Sequence, residues 1–128
     1  MLGNKNRIVL QLGQQGQVTT SGGTILIIPG NHVRIPCKCL IEKIDITGTV
    51  EAGGSSIIKI HAGVDASATV AASGTISPTV LRVNATIVAA QKDKIYDADQ
   101  EFCLSETSTT GKTLDHLNVS ITFREYEA

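Results

Sequence analysis

The most visible shortage in this sequence is of aromatic residues. Phe, Tyr and Trp together make up 3% of the 128 residues, and Trp is absent. Carbohydrate-binding sites usually depend on exposed aromatic rings, so this class of function has little support. The core has to be built from Ile, Val, Leu and Ala, and the β-branched members of that set favour strands over helices.

An excess of charge of one sign and long apolar runs are also missing. Eleven Lys and Arg balance twelve Asp and Glu, with a net charge of −1 and no basic run. A nucleic-acid-binding protein normally shows a basic stripe, so no nucleic-acid partner is predicted. No apolar stretch approaches the roughly 18 residues of a membrane span, so no membrane partner is predicted. The N-terminal MLGNKNRIVLQLGQQG lacks an apolar signal region, which predicts synthesis without secretion.

Motifs for catalysis and for cofactor binding are incomplete. No G-x-S-x-G nucleophile elbow occurs. Gly111-Lys112-Thr113 lacks the earlier glycine of a phosphate-binding loop, since position 106 is Glu. The acidic run at residues 97–101, DADQE, lacks the glycine and glutamate of a calcium loop. We therefore predict no enzyme, no catalytic residue and no cofactor; an enzyme of unrecognised type is the least favoured hypothesis.

The three cysteines are too few, and odd in number, for a disulfide framework. Cys37 and Cys39 would share one face of a strand, and with Cys103 and a histidine they would offer four zinc ligands. Cys103 has no second ligand near it in sequence, so free, buried or half-buried thiols are the favoured interpretation and no metal site is predicted. Three histidines are interpreted as lone surface groups: His32, His61 and His116.

The clearest positive signal lies in residues 39–61, CLIEKIDITGTVEAGGSSIIKIH. Ile58 and Ile60 alternate there with Lys59 and His61. This period of two is typical of a strand with one face in the core and the other in water.

The first half of the same stretch predicts a partner strand. Leu40, Ile44 and Ile46 fall on its inward parity. Gly53 and Gly54 between the two strands supply the positive φ angles of a tight turn, so the pattern predicts a β-hairpin.

Two later runs also alternate, at residues 81–87 and 117–123. The second is the cleanest in the chain and predicts a central strand. The inward residues of the two runs are Leu81, Val83, Ala85, Ile87, Leu117, Val119, Ile121 and Phe123. Residues 63–77 predict a loop with a short strand at 68–72. With seven to nine strands in total, the chain is predicted to be all-β, an antiparallel β-sandwich or jelly roll.

Residues 1–30 are predicted to form an extended N-terminal arm with short strands, and residues 31–128 the jelly-roll domain. The segment is rich in Gly, Gln and Thr and buries little, so it cannot offset its own ordering entropy alone. Two interpretations are open: a loose terminus, or an arm that orders only against a neighbouring subunit. The candidate assembly residues are Ile8, Leu10, Leu12, Ile25 and Ile27.

The order of features along the chain follows a recognisable pattern. Arg34-Ile35-Pro36 leads into the apolar pair of strands at residues 40–60, and Pro78-Thr79-Val80-Leu81 follows in mid-chain. The acidic turn and short strand Asp99-Gln100-Glu101-Phe102 then precede the alternating run at residues 117–123. In this order the chain resembles the small jelly-roll decoration (cement) proteins on the capsids of tailed bacteriophages, and related phage fibre-head domains.

The resemblance implies a structural protein of the virion. It implies a homotrimer, made in the host cytoplasm, that binds the outer surface of the assembled head at threefold or quasi-threefold positions and bridges capsomers. Binding the assembled shell but not free subunits would stabilise the particle by mass action. Its partners would be further copies of itself, the major capsid protein and neighbouring decoration trimers. The alternative is a binding module: a phage fibre or spike head, or a carbohydrate-binding β-sandwich.

Overall fold

A computed structural model describes residues 7–13, 18–19, 24–26, 32–109 and 112–126 of the chain. In this part the chain forms two antiparallel β-sheets packed face to face, so the predicted sandwich is confirmed. The described strands are β1 Arg7–Gly13, β2 Val18–Thr19, β3 Thr24–Leu26, β4 Val33–Arg34, β5 Cys39–Val50, β6 Ser56–Ala62, β7 Thr69–Ile76, β8 Arg82–Asn84, β9 Thr86–Ile87, β10 Glu101–Ser108 and β11 Thr113–Glu125. One 3₁₀ turn, Ala89–Gln91, precedes β10. Of the described helical segments, none has the length and apolarity to cross a membrane.

The strand order is that of a jelly roll. The first sheet runs β1-β11-β5-β8, with β2 also beside β11, and the second runs β3-β10-β6-β7-β9, with β4 also beside β10. The first strand thus pairs with the last, β3 and β4 pair with the penultimate strand, and β6 pairs with β7. Such nested pairing arises when one long antiparallel ribbon rolls up into two sheets, which is the jelly-roll arrangement.

The predicted hairpin at residues 39–61 is wrong in its pairing. Its two strands, β5 and β6, lie in different sheets, and both contribute side chains to the core. The turn between them is tight, because the Gly54 N–H donates to the Glu51 carbonyl at 3.0 Å and Gly53 has φ +85°. This is the geometry of a type II turn. Alternation in the sequence identifies the buried face of a strand but not the neighbour with which it pairs.

A bulge at Glu42 changes the inward parity of β5. Lys43 is opposite Thr122 and Ile41 is opposite Phe123, so Glu42 has no partner in this register. Ile41 is consequently buried while Leu40 is half-buried, and the predicted inward position of Leu40 is wrong. An extra residue in one strand reverses the faces of all residues beyond it.

Residues 69–76 form a full strand, longer than the short strand at 68–72 predicted within a loop. Their side chains are small because the opposite sheet lies close: a Cβ at Gly74 would be 3.0 Å from Ile46 Cδ1 and 3.1 Å from Val83 Cγ1. Ala71 and Ala72 are fully buried in the same strand. The shortage of large apolar residues here reflects tight packing between the sheets, not exposure.

The alternating run at residues 81–87 is divided between the two sheets. β8 pairs with β5 in the first sheet, and β9 pairs with β7 in the second. Val83, Ala85 and Ile87 pack against the core as predicted. Leu81 is 50% exposed, so its predicted inward position is wrong. The switch between sheets at Ala85 closes this side of the sandwich.

β11 is the central strand that its sequence predicts. It lies between β1 and β5, and Leu117, Val119, Ile121 and Phe123 are all buried. The Phe123 ring packs against Phe102 with centroids 5.3 Å apart, which joins the two sheets. The scarce aromatic residues are therefore concentrated in the core.

The inward parity of β6 can be tested with Ile58→Asp. Ile58 is fully buried and lies opposite Glu106 of β10, so the substitution would place a second carboxyl group in the same apolar space. We expect a loss of about 5 kcal/mol, which approaches the whole stability of a small domain. Circular dichroism melting should show an unfolded or insoluble protein.

Lys59→Ala is the matched control, because Lys59 lies on the opposite face of β6 and is partly exposed. It should change the free energy of unfolding by about 0.5 kcal/mol at most. A soluble, cooperatively melting Ile58→Asp protein would mean that the faces of β6 are reversed.

Candidate functional site

The three cysteines are free and do not form the zinc site considered above. Cys39 is in the core, where burial raises the pKa of its thiol to about 11. Cys103 is buried on the other face of β10 from Phe102, and burial raises its pKa as well. Within the described ranges, no group of three or more His, Cys, Asp or Glu side chains could hold a metal ion.

His61 is buried, so its interpretation as a surface group is wrong. Its Nδ1 lies 3.0 Å from the Ala68 carbonyl, and its Nε2 lies 2.6 Å from Ser105 Oγ. A carbonyl can only accept, so Nδ1 carries a hydrogen, and in the neutral form of the ring Nε2 accepts from the Ser105 hydroxyl. His32 is half-buried and contacts the Val64 carbonyl, whereas His116 is exposed.

The Ser105–His61 pair has the order of groups found in a serine nucleophile and its base. However, Ser105 is 1% exposed and His61 is 2% exposed, so a substrate has no access to Ser105 Oγ. The pair therefore fills a structural role by satisfying polar groups on the outer face of the second sheet. No short motif marks it in the sequence, since the two residues are 44 positions apart.

A cleft of about 340 Å³ lies beside the bulge in β5. It is lined by Glu42, Lys43, Ile44, Asn84, Ala85, Thr86, Ile87 and Lys92. Glycoside hydrolysis would require two carboxyl groups here. Glu42 is the one carboxylate in this lining, and it accepts hydrogen bonds from Arg7 Nε at 2.8 and 3.1 Å. The cleft thus lacks an acid–base pair.

The predicted assembly residues of β1 belong to the core of their own chain. Ile8, Leu10 and Leu12 lie opposite Phe123, Ile121 and Val119 of β11. Leu12 is 1% exposed, and the other two are partly buried against the core.

Sheet pairing therefore extends across the predicted domain boundary at residue 30. Ile25 lies in β3, opposite Glu106 of β10, and Ile27 lies outside the described residues. The domain division and the assembly role of the arm stay predictions.

The two ends of the sandwich differ in how they present apolar side chains. We call the end with the connections at residues 51–55 and 77–81 the Gly53 end, and the end with residues 63–68 and 88–100 the Tyr96 end. The exposed large apolar residues of the described surface are Val9, Ile57, Val64, Val80, Leu81, Val88 and Ile95. Three of these are spread over the connections of the Tyr96 end, whereas two are adjacent at the Gly53 end.

Residues 77–81 hold this adjacent pair on a rigid turn, here called the Val80 tip. Ser77 and Val80 exchange backbone hydrogen bonds of 3.0 and 3.2 Å, and Ser77 Oγ also accepts from the Val80 N–H. The Leu81 carbonyl accepts from the Gly48 N–H at 3.0 Å, which anchors the turn to β5. Val80 is 43% exposed and Leu81 is 50% exposed. Val80 and Leu81 thus form a small exposed apolar pair on a turn that is held by hydrogen bonds.

Comparison with known proteins gives similarity in structure only. No family model and no curated protein matches the chain. A chain of the cyanophage Pam1 capsid asymmetric unit is similar with a TM-score of 0.53 at 9% identity, over 97% of this chain and 86% of that one. A chain of infectious bursal disease virus, Gt strain, is similar with a TM-score of 0.50 at 8% identity, over 91% of this chain and 32% of that one. At these identities the shared feature is the fold.

Breaking the buried hydrogen bond between Ser105 and His61 should lower the stability of the fold measurably. His61→Ala should lower the free energy of unfolding by about 3 kcal/mol, because it leaves a cavity and an unpaired buried hydroxyl. Ser105→Ala should cost about 1 kcal/mol, and the double variant less than the sum, since both remove one interaction. Urea denaturation measures all three.

His116→Ala is the control, because His116 is exposed. Its effect should stay within about 0.5 kcal/mol. Equal effects of His61→Ala and His116→Ala would show that the buried pair does not stabilise the fold.

Proposed function

We propose that this chain is a capsid decoration protein, which binds the outer surface of an assembled phage head as a homotrimer and bridges capsomers. The observation that carries the proposal is the similarity to a chain of the cyanophage capsid over 97% of this chain and 86% of that one. Both coverages are high, so the two chains are close in size. In the bursal disease virus match, by contrast, this chain spans about a third of the other chain.

The described surface suits a structural role. It carries the ion pairs Arg7–Glu42 and Arg34–Glu101 at 2.8 and 2.9 Å. Such exposed pairs contribute little to stability, and their groups are partly neutralised. A decoration protein needs only a firm scaffold and contact surfaces, because its effect comes from binding the assembled shell and not free subunits.

The Val80 tip is the proposed contact with the capsid. It coincides with Pro78-Thr79-Val80-Leu81, one of the elements on which the resemblance to phage decoration proteins is based. Burying Val80 and Leu81 against a shell protein would remove apolar surface from water without an ordering cost in the turn, which is already held by backbone hydrogen bonds.

Trimer formation through side chains is favoured over backbone pairing at the edges formed by β8 and β9. These two edge strands are three and two residues long. Such short edges offer no long row of free backbone groups to another chain. The trimer is therefore proposed to form through faces and connections, with the N-terminal arm contacting the capsid or a neighbouring trimer.

The alternative of a fibre head or carbohydrate-binding module gains no supporting observation. Tyr96, Phe102 and Phe123 are buried in the core. Tyr126 alone among the four aromatic residues is partly exposed. One partly exposed ring gives no platform on which a sugar could stack.

The proposal predicts assembly in solution and binding to heads. Native mass spectrometry should give three times the chain mass of 13.5 kDa. Purified heads that lack the protein should bind it saturably, and cryo-electron microscopy should place added density at threefold or quasi-threefold positions. A stable monomer that does not bind such heads would overturn the proposal.

The Val80 tip can be tested separately with the double variant Val80→Ser, Leu81→Ser. Loss of two buried apolar side chains should weaken binding to heads by about tenfold or more, while the melting temperature stays within about 2 °C. Val64→Ser is the control, because Val64 is similarly exposed, at 49%, but lies at the Tyr96 end. Unchanged affinity in the double variant would exclude the tip as the contact.

A further inference from the structure

Glu106 is an acidic residue in the apolar core of the sandwich. It lies on the inward face of β10, in line with Leu104, and is 0% exposed. Ile58 lies opposite it on β6 and is also fully buried. A glutamate almost never occupies such a position without a cationic partner.

The partners of Glu106 are few and uncharged. Ser56 Oγ donates to Glu106 Oε1 at 3.2 Å, and Ser56 Oγ is itself 2.5 Å from Ser108 Oγ. Glu106 Oε2 has no hydrogen-bond partner among the described residues. One hydroxyl donor cannot replace the hydration of a carboxylate.

No other titratable side chain of the described strands faces Glu106. On β6 and β10, Lys59, His61 and Cys103 point to the opposite face of the sheet. The inward residues of β5 and β11 near the Gly53 end are apolar or glycine. Cys39 and Tyr96 are also in the core, but they lie at the Tyr96 end.

Lys112, at the Gly53 end, packs its side chain toward Gly53 and Gly54 instead of the core. Among the described residues this buried carboxyl group faces no cation, and its surroundings therefore favour the protonated form. Consistent with this, burial raises the pKa of Glu106, and the Ser56 hydrogen bond opposes the rise only in part.

We propose that Glu106 is a proton-dependent latch that holds β10 in the sandwich when protonated and loosens the β3 edge when it ionises. The ionised group has to reach water, which requires one of the strands beside β10 to move. The two neighbouring strands, β6 and β3, are paired with β10 over different lengths. β6 pairs with β10 from Cys103 to Ser108, whereas β3 pairs with it only at residues 105–107. β3 is also an edge strand, so its release costs least. This inference does not depend on the capsid role.

The sign of the pH effect follows from the raised pKa. Between the ordinary glutamate pKa of about 4.3 and the raised pKa in the folded protein, the folded state binds more protons than the unfolded state. Stability contributed by this group is therefore full at low pH and is lost as pH rises through that window. The unfolding equilibrium constant should increase by up to about tenfold per pH unit there.

Glu106→Gln removes the charge and keeps the shape. Relative to the native chain it should raise the melting temperature by about 5 °C at pH 8 and change it by about 1 °C at most at pH 4.5. Glu101→Gln is the control on the same strand, since Glu101 is half-exposed, and it should keep the pH dependence of the native chain. A Glu106→Gln protein with the native pH dependence would overturn the proposal.

Two measurements on the native chain keep the test decisive if Glu106→Gln folds poorly. Carboxyl-carbon NMR titration should find Glu106 protonated well above the ordinary range, and titration in the ordinary range would refute the latch. Hydrogen exchange at residues 24–26, corrected for intrinsic rates, should increase with pH more than exchange in β11. Equal increases in β3 and β11 would refute the release of the edge.

Discussion

The close packing of the two sheets is the constraint on which the rest of the structure depends. A Cβ at Gly48 would lie 2.8 Å from Ile76 Cδ1, so the strands meet at this point only because one of them carries no side chain. Near the Tyr96 end the separation is filled by Phe102 and Phe123. The small residues of β7 and the few aromatic residues are two consequences of one requirement, which is to fill the space between the sheets without voids.

Most of the exposed large apolar side chains of the described residues lie in the connections at the two ends of the sandwich. The edge strands β8 and β9 are short, and the outer faces carry polar side chains, several of them in ion pairs. The connections at the ends are fixed by backbone hydrogen bonds, as Ser77 and Val80 illustrate. At the Gly53 end two exposed apolar side chains, Val80 and Leu81, lie next to each other on such a connection.

The sequence predicts most of the strands and many of their buried faces, but not which strands pair. The alternation in β11 predicts its buried residues correctly, because side-chain period depends only on local backbone geometry. The predicted hairpin of β5 and β6 is wrong because strand pairing depends on the topology of the whole jelly roll, not on the local sequence. The bulge at Glu42 and the burial of His61 depend on neighbours distant in sequence, Phe123 and Ser105. No local sequence pattern predicts such contacts between distant residues. The exposure of Leu81 in the Val80 tip is likewise not predicted, because the alternation of residues 81–87 places it on the buried face.

β10 carries two buried polar residues, Ser105 and Glu106, that each form a hydrogen bond with a residue of β6. On its outer face Ser105 donates to His61, and on its inner face Glu106 accepts from Ser56, so β6 is its partner in both pairs. A slip of one residue between β10 and β6 would break both hydrogen bonds at once and bury a different set of polar groups. An apolar β10 would pack at least as well but would permit such slips. The polar pairs therefore disfavour slipped registers between β10 and β6, and the proposed ionisation of Glu106 acts on the other side of β10, at the β3 edge.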